Sequence, residues 1–437
     1  FLGLVNLAEQ PKRNMDVVVK ELNSAGIRLV YFSPDNERIS KSFANKLGLE
    51  TDFNTCITLQ ERTVENVEHD PRGMSEIKAR LPRGVSEMRS HIKYVDNVPL
   101  LVPLFSEATP SASRQMMEIF QEYGDVVFCL GSALNYFNSP IFAQSDIAMA
   151  VEPSLPLRCL RHRESTTAAA RAVAPSIMHA YASMDDVSRA LTTLPCSLKA
   201  PKDTQLQMLL PFIREGRRVQ DLVSAFSMYT VALPLLVALV VVGLYGLGLG
   251  AEVSAAAVLY IAWFVVPLVS LAFMSGPEAP GIMKLLPRKN DTVGWHAREL
   301  RAISRELALR VGPSAAAGTA LAAAAPGAVV TVLVWLALVE SAVFHHHYHS
   351  MRVVAPWRNP AWLLVASVVV LIEAARVWQT ALLERVSPLW WAFLVSWGVA
   401  VVIWDEVIKR KVRAAFFKAQ KRLYLDFNTK LGMHSPV

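Results

Sequence analysis

Long apolar runs dominate the second half of this 437-residue chain and restrict what it can fold into. Residues 223–249, 253–274, 362–383 and 389–407 are each long enough to cross a bilayer, which needs about 20 helical residues. Backbone in lipid must satisfy its own hydrogen bonds, so these runs are expected to be helices. A fifth stretch, residues 314–344, is mostly Ala, Val and Leu. Read as one kinked helix it gives five spans and leaves the two ends of the chain on opposite sides. Yet residues 284–310 and 409–422 are both strongly basic, and basic segments favour the cytosol. A hairpin restores parity. "AAAAPGA" (residues 322–328) has a Pro-Gly turn, with one helix running from about Ile303 to Ala324 and another from Ala328 to Phe344.

The formal charge of +7 invites a nucleic-acid reading, but the basic residues stand beside apolar runs, as in Arg214-Glu-Gly-Arg217-Arg218 and Lys409-Arg-Lys-Val-Arg413. That placement suits the positive-inside rule, and no nucleic-acid partner is expected. Cys56, Cys129, Cys159 and Cys196 show no paired spacing and read as free thiols. The chain opens on Phe1 without the basic start of a signal peptide, and reads as a processed product or a piece of something longer.

Residues 1–200 read as an α/β layer. After a short apolar run at residues 2–7, helical spacing covers residues 12–25, with Gly26 as a C-terminal cap. "IRLVYF" (residues 27–32) reads as a buried strand, broken by Ser33-Pro34-Asp35-Asn36. A helix from about Glu37 to Leu47 ends at Gly48. Strands are expected at residues 98–104, 125–130 and 147–151, with a helix at 111–123. Strand alternating with helix implies a mainly parallel sheet, with sites at the carboxyl ends of strands. Ser33 to Asn36 and Gly131-Ser132 lie at such ends. A dinucleotide site would need a glycine triplet, and the turn at residue 131 has one glycine.

"FLGLVNLAEQPKRNMDVVVKELNSAGIRLVYFSPDN" resembles the phosphorylation domain of P-type ATPases, with Ser33-Pro34-Asp35-Asn36 in place of that family's Thr-Gly-Asp-Asn. Ser145 to Ala150 resembles the "ADIGIA" that follows the family's magnesium loop. "GPEAPGIMKLLPR" (residues 276–288) is similar to the cytosolic loop after the sixth helix of cation pumps. "VDNVPLLVPLFSEATP", "QEYGDVVFCLGSALN" and "KLGMHSP" are similar to the animal transmembrane protein 94 family, described as P-type-like magnesium transporters of the endoplasmic reticulum.

The resemblance implies a fold class: an α/β phosphorylation-type domain, haloacid-dehalogenase-like and Rossmannoid, followed by an α-helical transmembrane bundle of about six helices. It implies a phosphorylation domain at residues 1–200, incomplete at its N-terminus, a stalk at 201–222, a membrane domain at 223–408 and a basic cytosolic tail at 409–437. The degenerate phosphate site would be Ser33, Asp35, Ser132 and Asn138, with Ser132 and Asn138 where the family keeps carboxylates and Ser113, beside Arg114, where it keeps a lysine. Asp35 is the one retained metal ligand of this set. Hydroxyls and amides are weak magnesium ligands, and phosphoryl transfer relies on charge neutralisation. Magnesium is implied as ion and cofactor, and ATP only with the missing N-terminal half, which carries the aspartyl nucleophile and is an expected partner. The lipid bilayer, of the endoplasmic reticulum, and a transported cation are the others.

Pumps place acids in the first two of these helices, and this chain has none there. Its intramembrane charges are Glu340, Glu373 and Arg376. Such residues are transport candidates, although Glu373 and Arg376, three apart, are equally suited to a mutual ion pair. "HHHYH" (residues 345–349) admits a transition-metal site or a plain helix end. Gly432-Met433-His434 resembles a Gly-Met-Asn signature of magnesium channels. Two functions follow: the C-terminal part of a divergent cation transporter, with magnesium uptake into the endoplasmic reticulum, or a non-catalytic membrane scaffold or regulator that keeps the fold.

Overall fold

The computed structural model describes residues 10–12, 14–51, 55–61, 81–133, 135–151, 196–200, 206–248, 253–287 and 297–425. The apolar run at 2–7, the turn at 250–252, Cys159 and Gly432-Met433-His434 lie outside them. The chain divides into two units, one of Phe1–Leu210, Leu286–Gly294 and Leu425–Val437, the other of Pro211–Leu285 and Trp295–Tyr424.

The first unit builds two parallel three-stranded sheets. In chain order its elements are α1 (Met15–Ser24), β1 (Tyr31–Phe32), α2 (Glu37–Leu47), β2 (Cys56–Thr58), α3 (Gly84–Tyr94), β3 (Leu104–Ser106), α4 (Pro110–Glu122), β4 (Phe128–Ser132), α5 (Ser139–Gln144), β5 (Ile147–Val151) and β6 (Leu198–Ala200). One sheet has the order β1-β3-β2, with Tyr31 and Cys56 both opposite Leu104; the other is β4-β5-β6, with Leu130 opposite Met149 and Met149 opposite Leu198. Neighbouring residues of a strand face opposite ways. Leu104 accordingly packs with Met15, Val19, Ala44 and Leu47 of α1 and α2. Phe105 packs with Met88, Ile92, Met116 and Ile119 of α3 and α4. Helices cover both faces of the first sheet, as the alternation of strand and helix requires.

Local signals set the helix ends. Asn36 caps α2 by accepting from the Ile39 N–H at 3.1 Å, and Gly48 closes it in the left-handed region, φ 84°. Thr109 caps α4, with Pro110 in its first turn. Three strands depart from the expected positions. Of residues 27–32 only Tyr31–Phe32 join the ladder as β1, and both are half-buried rather than buried. Residues 98–100 form a 3-10 turn and the strand begins only at Leu104, because Pro99 and Pro103 have no N–H to give to a ladder. β4 lies further along than residues 125–130, so Gly131 and Ser132 belong to the strand, in register with Ala150 and Val151, and the turn follows them.

Among the described residues, six helical segments are long and apolar enough to cross a membrane, 206–246, 255–273, 300–324, 326–344, 360–379 and 388–423, nearly all within the second unit. They correspond to α6 (Leu209–Gly246); α7 (Ala255–Tyr260) running through a π-helical turn at Ile261–Val265 into α8 (Val266–Phe273); α9 (Ala297–Ala324); α10 (Val329–Phe344); α11 (Pro360–Gln379); and, after the short α12 (Leu382–Arg385), α13 (Pro388–Leu425). The Pro-Gly hairpin is present as a 3-10 turn, Pro326–Ala328, between α9 and α10. The π turn precedes Pro267, whose missing N–H leaves the Trp263 carbonyl without its helical donor. α13 continues unbroken past residue 409 to Leu425, so the expected tail is in large part helix, and Lys409 is buried.

Side chains tie the helices by bonding backbone carbonyls across them: Tyr229 Oη to Ala337 O at 3.2 Å, Trp335 Nε1 to Leu394 O at 3.1 Å, Trp390 Nε1 to Leu321 O at 3.1 Å, and Asn359 Nδ2 to Ala272 O at 2.8 Å. Small residues permit close approach. A Cβ on Gly318 would lie 2.8 Å from Leu336 Cδ1 and 3.1 Å from Val240 Cγ2, where α9 meets α10 and α6.

Two outcomes follow. Gly318→Leu should overpack this crossing and cost roughly 1–3 kcal/mol, seen as a lower thermal midpoint in detergent, while Gly246→Leu, with nothing within 4 Å of its Cβ, should leave the midpoint unchanged. With an even number of spans, tags before Phe1 and after Val437 should show the same protease sensitivity in sealed microsomes; cleavage of one alone would contradict six crossings.

Candidate functional site

The residues expected at the degenerate phosphate site follow strands of two different sheets. Ser33 and Asp35 follow β1. The Asp35 N–H donates to Ser33 Oγ at 3.2 Å, and the Asp35 carbonyl accepts from Glu107 N at 2.9 Å and Ser40 Oγ at 3.1 Å. Asn36 caps α2, so the exposed Asp35 carboxylate is not spent on the helix end. Ser132 ends β4, and Asn138 lies on the turn beyond it. Asn138 Nδ2 donates to Ser132 O at 3.1 Å, which binds the loop to itself. Ser113 is buried within α4, bonded through its N–H to Thr109 O. One exposed carboxylate with hydroxyls and an amide already engaged in turns does not make a magnesium site of charged oxygens. Burial pushes the Cys129 thiol up to about 11, which keeps it protonated and unreactive.

In the second unit, Glu373 and Arg376 form the ion pair that their spacing allows. Arg376 donates Nε to Glu373 Oε2 at 3.0 Å and Nη2 to Oε1 at 2.5 Å, and the same Nη2 reaches Thr331 Oγ1 of α10 at 2.5 Å. Both oxygens of Glu373 are therefore engaged, and the pair locks α11 to α10. Glu340, 2% exposed, accepts from Ser314 Oγ of α9 at 2.5 Å, and its other oxygen, Oε2, has no partner among the described residues.

Around Glu340 lies a charged cluster that the sequence reading did not identify. Arg310 is 2% exposed and Lys409 1%. Arg310 Nη2 pairs with Glu306 at 2.8 Å and donates to His347 O at 3.0 Å, and its Nη1 lies 3.5 Å from Asp405 of α13. Lys409 Nζ lies 2.8 Å from Asp405 Oδ2 and donates to Val343 O at 2.7 Å. Three helices and the segment after α10 share these charges. The available signal was Asp405 four residues before Lys409 at the edge of an apolar run, the spacing of a helical ion pair. The histidines of "HHHYH" are packing residues in part. His345 meets Phe273 edge-on at 5.4 Å and His346 at 5.1 Å. Burial lowers His345 to about 4 and His346 to about 3, so both are neutral at pH 7. Among the described residues no three His, Cys, Asp or Glu side chains converge as a metal site.

Comparison with known proteins agrees with this architecture. The chain is 26% identical to Transmembrane protein 94 of Homo sapiens, in an alignment covering all of this chain and 39% of that protein. It is 29% identical to the Mus musculus protein of the same name, over 66% of this chain and 25% of that one. These are homologues, and the chain spans about two fifths of the human relative's length. A stretch of 151 residues, 35% of the chain, is 21% identical to Calcium-transporting ATPase 4, endoplasmic reticulum-type, of Arabidopsis thaliana, covering 12% of it. No family model matches. The chain is thus similar to P-type ATPases and, with six candidate spans, is a multi-pass membrane protein.

The histidine cluster sets a pH dependence. A histidine whose folded-state value lies below its unfolded value of about 6.5 adds stability that is complete above 6.5 and is lost as pH falls toward the folded value. The thermal midpoint of the protein should therefore fall between pH 6.5 and 4, and the double variant His345→Phe, His346→Leu should show a shallower fall over that window. Identical slopes would show that these histidines are already charged when folded.

Proposed function

We propose that this chain is the C-terminal part of a divergent P-type ATPase-like cation transporter, with magnesium uptake into the endoplasmic reticulum as its activity. The observation that carries the reading is the burial of Glu340, Glu373 and Asp405 on three different helices of the membrane unit. Carboxylates cost free energy in such a setting and persist where they serve an ion path or a lock. Transmembrane protein 94 and the endoplasmic-reticulum calcium ATPases, among the relatives, support the class of protein and the compartment. Magnesium is the cargo that the family resemblance names.

In this reading the first unit contributes Asp35 and the neutral Ser33, Ser132 and Asn138 near the phosphate. ATP and the phosphorylated aspartate belong to the part of the protein outside this chain. The second reading, a scaffold or regulator without turnover, is favoured by one observation: the Asn138 amide and the Ser33 hydroxyl are both used to close their own turns.

Full-length protein reconstituted in vesicles separates the two. The transporter reading predicts ATP-dependent magnesium uptake above that of protein-free vesicles, and absence of uptake by correctly folded protein supports the scaffold. Glu373→Gln, which strips Arg376 of its partner, should cost about 2 kcal/mol and lower both folding yield and flux. In the charge swap Glu373→Arg with Arg376→Glu, a lock predicts recovery of both; an ion ligand predicts recovered yield with flux still low. Normal flux and yield in Glu373→Gln would remove this residue from the path.

A further inference from the structure

We propose that the arginines where the segment after α10 meets α13 hold a phosphorylated lipid headgroup, a phosphomonoester in preference to a phosphodiester. The segment lies at one face of the bilayer, since α10 ends at Phe344 and α11 begins at Pro360. α13 reaches the same face after its apolar run, residues 389–407, which is about 30 Å long as helix. The turn 409–413 therefore stands at headgroup level, and Trp357 and Trp404, both exposed, mark that level as interfacial aromatics do. Two contacts fix the segment on α13. The Met351 N–H donates to Glu406 Oε1 at 2.7 Å, and Tyr348 stacks on Phe416 with ring centres 4.6 Å apart. Glu406, Arg410 and Arg413 share one side of α13 by their helical spacing, so the Met351 bond sets Arg352 beside that side. Arg358 Nη1 lies 3.5 Å from Val353 O, which keeps it next to the same corner.

Deeper in the unit, arginine and lysine are paired with carboxylates. At this corner they are not. Arg352, Arg358, Arg410 and Lys411 are exposed and Arg413 is half-buried. None of the five has a carboxylate partner among the described residues. Glu406 is the acid on this side of α13, and its Oε1 is taken by Met351. His349 stays neutral at pH 7, because burial and the nearby Arg413 and Lys409 lower its value. Five cations against Glu406 leave +4. Counting the inner group as well, Glu306, Arg310, Glu340, Asp405 and Lys409, still leaves +3. A basic cluster just beyond a membrane helix attracts the anionic lipids of the facing leaflet. Guanidinium forks bond phosphate oxygens two at a time, which an ammonium does not do. A phosphomonoester carries close to two charges and three acceptor oxygens. It can therefore engage several forks at once, which a singly charged phosphodiester does less well.

The inference does not depend on transport. Thermal unfolding of the full-length protein in a neutral detergent tests it, because a ligand of the folded state raises the midpoint. The titrants are short-chain phosphatidylinositol bisphosphate, short-chain phosphatidylserine and soluble inositol trisphosphate. The bisphosphate lipid should raise the midpoint at lower concentration than either of the others. The triple variant Arg352→Gln, Arg358→Gln, Arg410→Gln should weaken its effect on the order of a hundredfold, at roughly fivefold per basic residue near a membrane surface. Lys418→Gln, Lys421→Gln, Arg422→Gln removes the same charge about two helical turns further out and should change the effect little. Arg352→Lys with Arg410→Lys keeps the charge without the forks and should lose the preference for the bisphosphate over the serine lipid; it decides alone if the first triple variant does not fold. The proposal is overturned if no anionic lipid raises the midpoint, if the soluble headgroup or phosphatidylserine matches the bisphosphate lipid, if the outer triple variant loses as much as the inner one, or if the lysine variant keeps the preference.

Discussion

The enclosed guanidinium of Arg310 is the interaction on which the membrane unit depends. It reaches Glu306 on its own helix, Asp405 on α13 and the carbonyl of His347 beyond α10. Three elements far apart in sequence are brought to one point, and Lys409 and Glu340 complete the group. Burying four of these charges, with Glu306 half-buried beside them, adds little net stability, since desolvation offsets most of the attraction. What it does supply is a demand for one arrangement: any other packing would leave a charge alone inside the bundle. Glu306 and Arg310, which help make the first half of α9 look too polar for a span, belong to this group, while Arg301 and Arg305 are exposed.

The two units treat charge in opposite ways. Under the reading proposed above, Ser132 and Asn138, bonded to each other within one turn, stand where P-type pumps gather carboxylates at the phosphate loop. Where pumps place acids in the first two helices of this part of the membrane domain, α6 and the α7–α8 segment offer an apolar groove of about 220 Å³ lined by Pro234, Val237, Val241, Ile261 and Val266. The acids have moved to α9, α10, α11 and α13, where nearly all of them stand beside a resident arginine or lysine. A transporter of this design would have to work against tethered cations, which narrows the charge that any one carboxylate can accept.

Features set by neighbours in sequence were legible. Asn36 and Gly48 bound α2, and Pro326-Gly327 turns α9 into α10, because a cap or a breaker acts on the residues beside it. The pairing of Glu373 with Arg376 follows from helical geometry alone. Strand limits were less legible: Pro99 and Pro103 delay β3, and the register of β4 with β5 draws Gly131 and Ser132 into the ladder. The charged cluster was hidden for another reason. Arg310 and Asp405 are separated by α10 and α11, and no periodicity links them. Only the Asp405–Lys409 spacing hinted that an acid and a base inside the last helix were partners.

A double-mutant cycle on the contact between helices tests the centre of this account. Thermal or denaturant unfolding of the full-length protein would be compared for Arg310→Met, Asp405→Asn and the double variant. Coupled residues in one buried network show interaction energies of about 0.5–3 kcal/mol. The account predicts that each single variant is strongly destabilised and that the double variant is less so than their sum, by at least about 1 kcal/mol. Additive effects, with no coupling between the two positions, would contradict it.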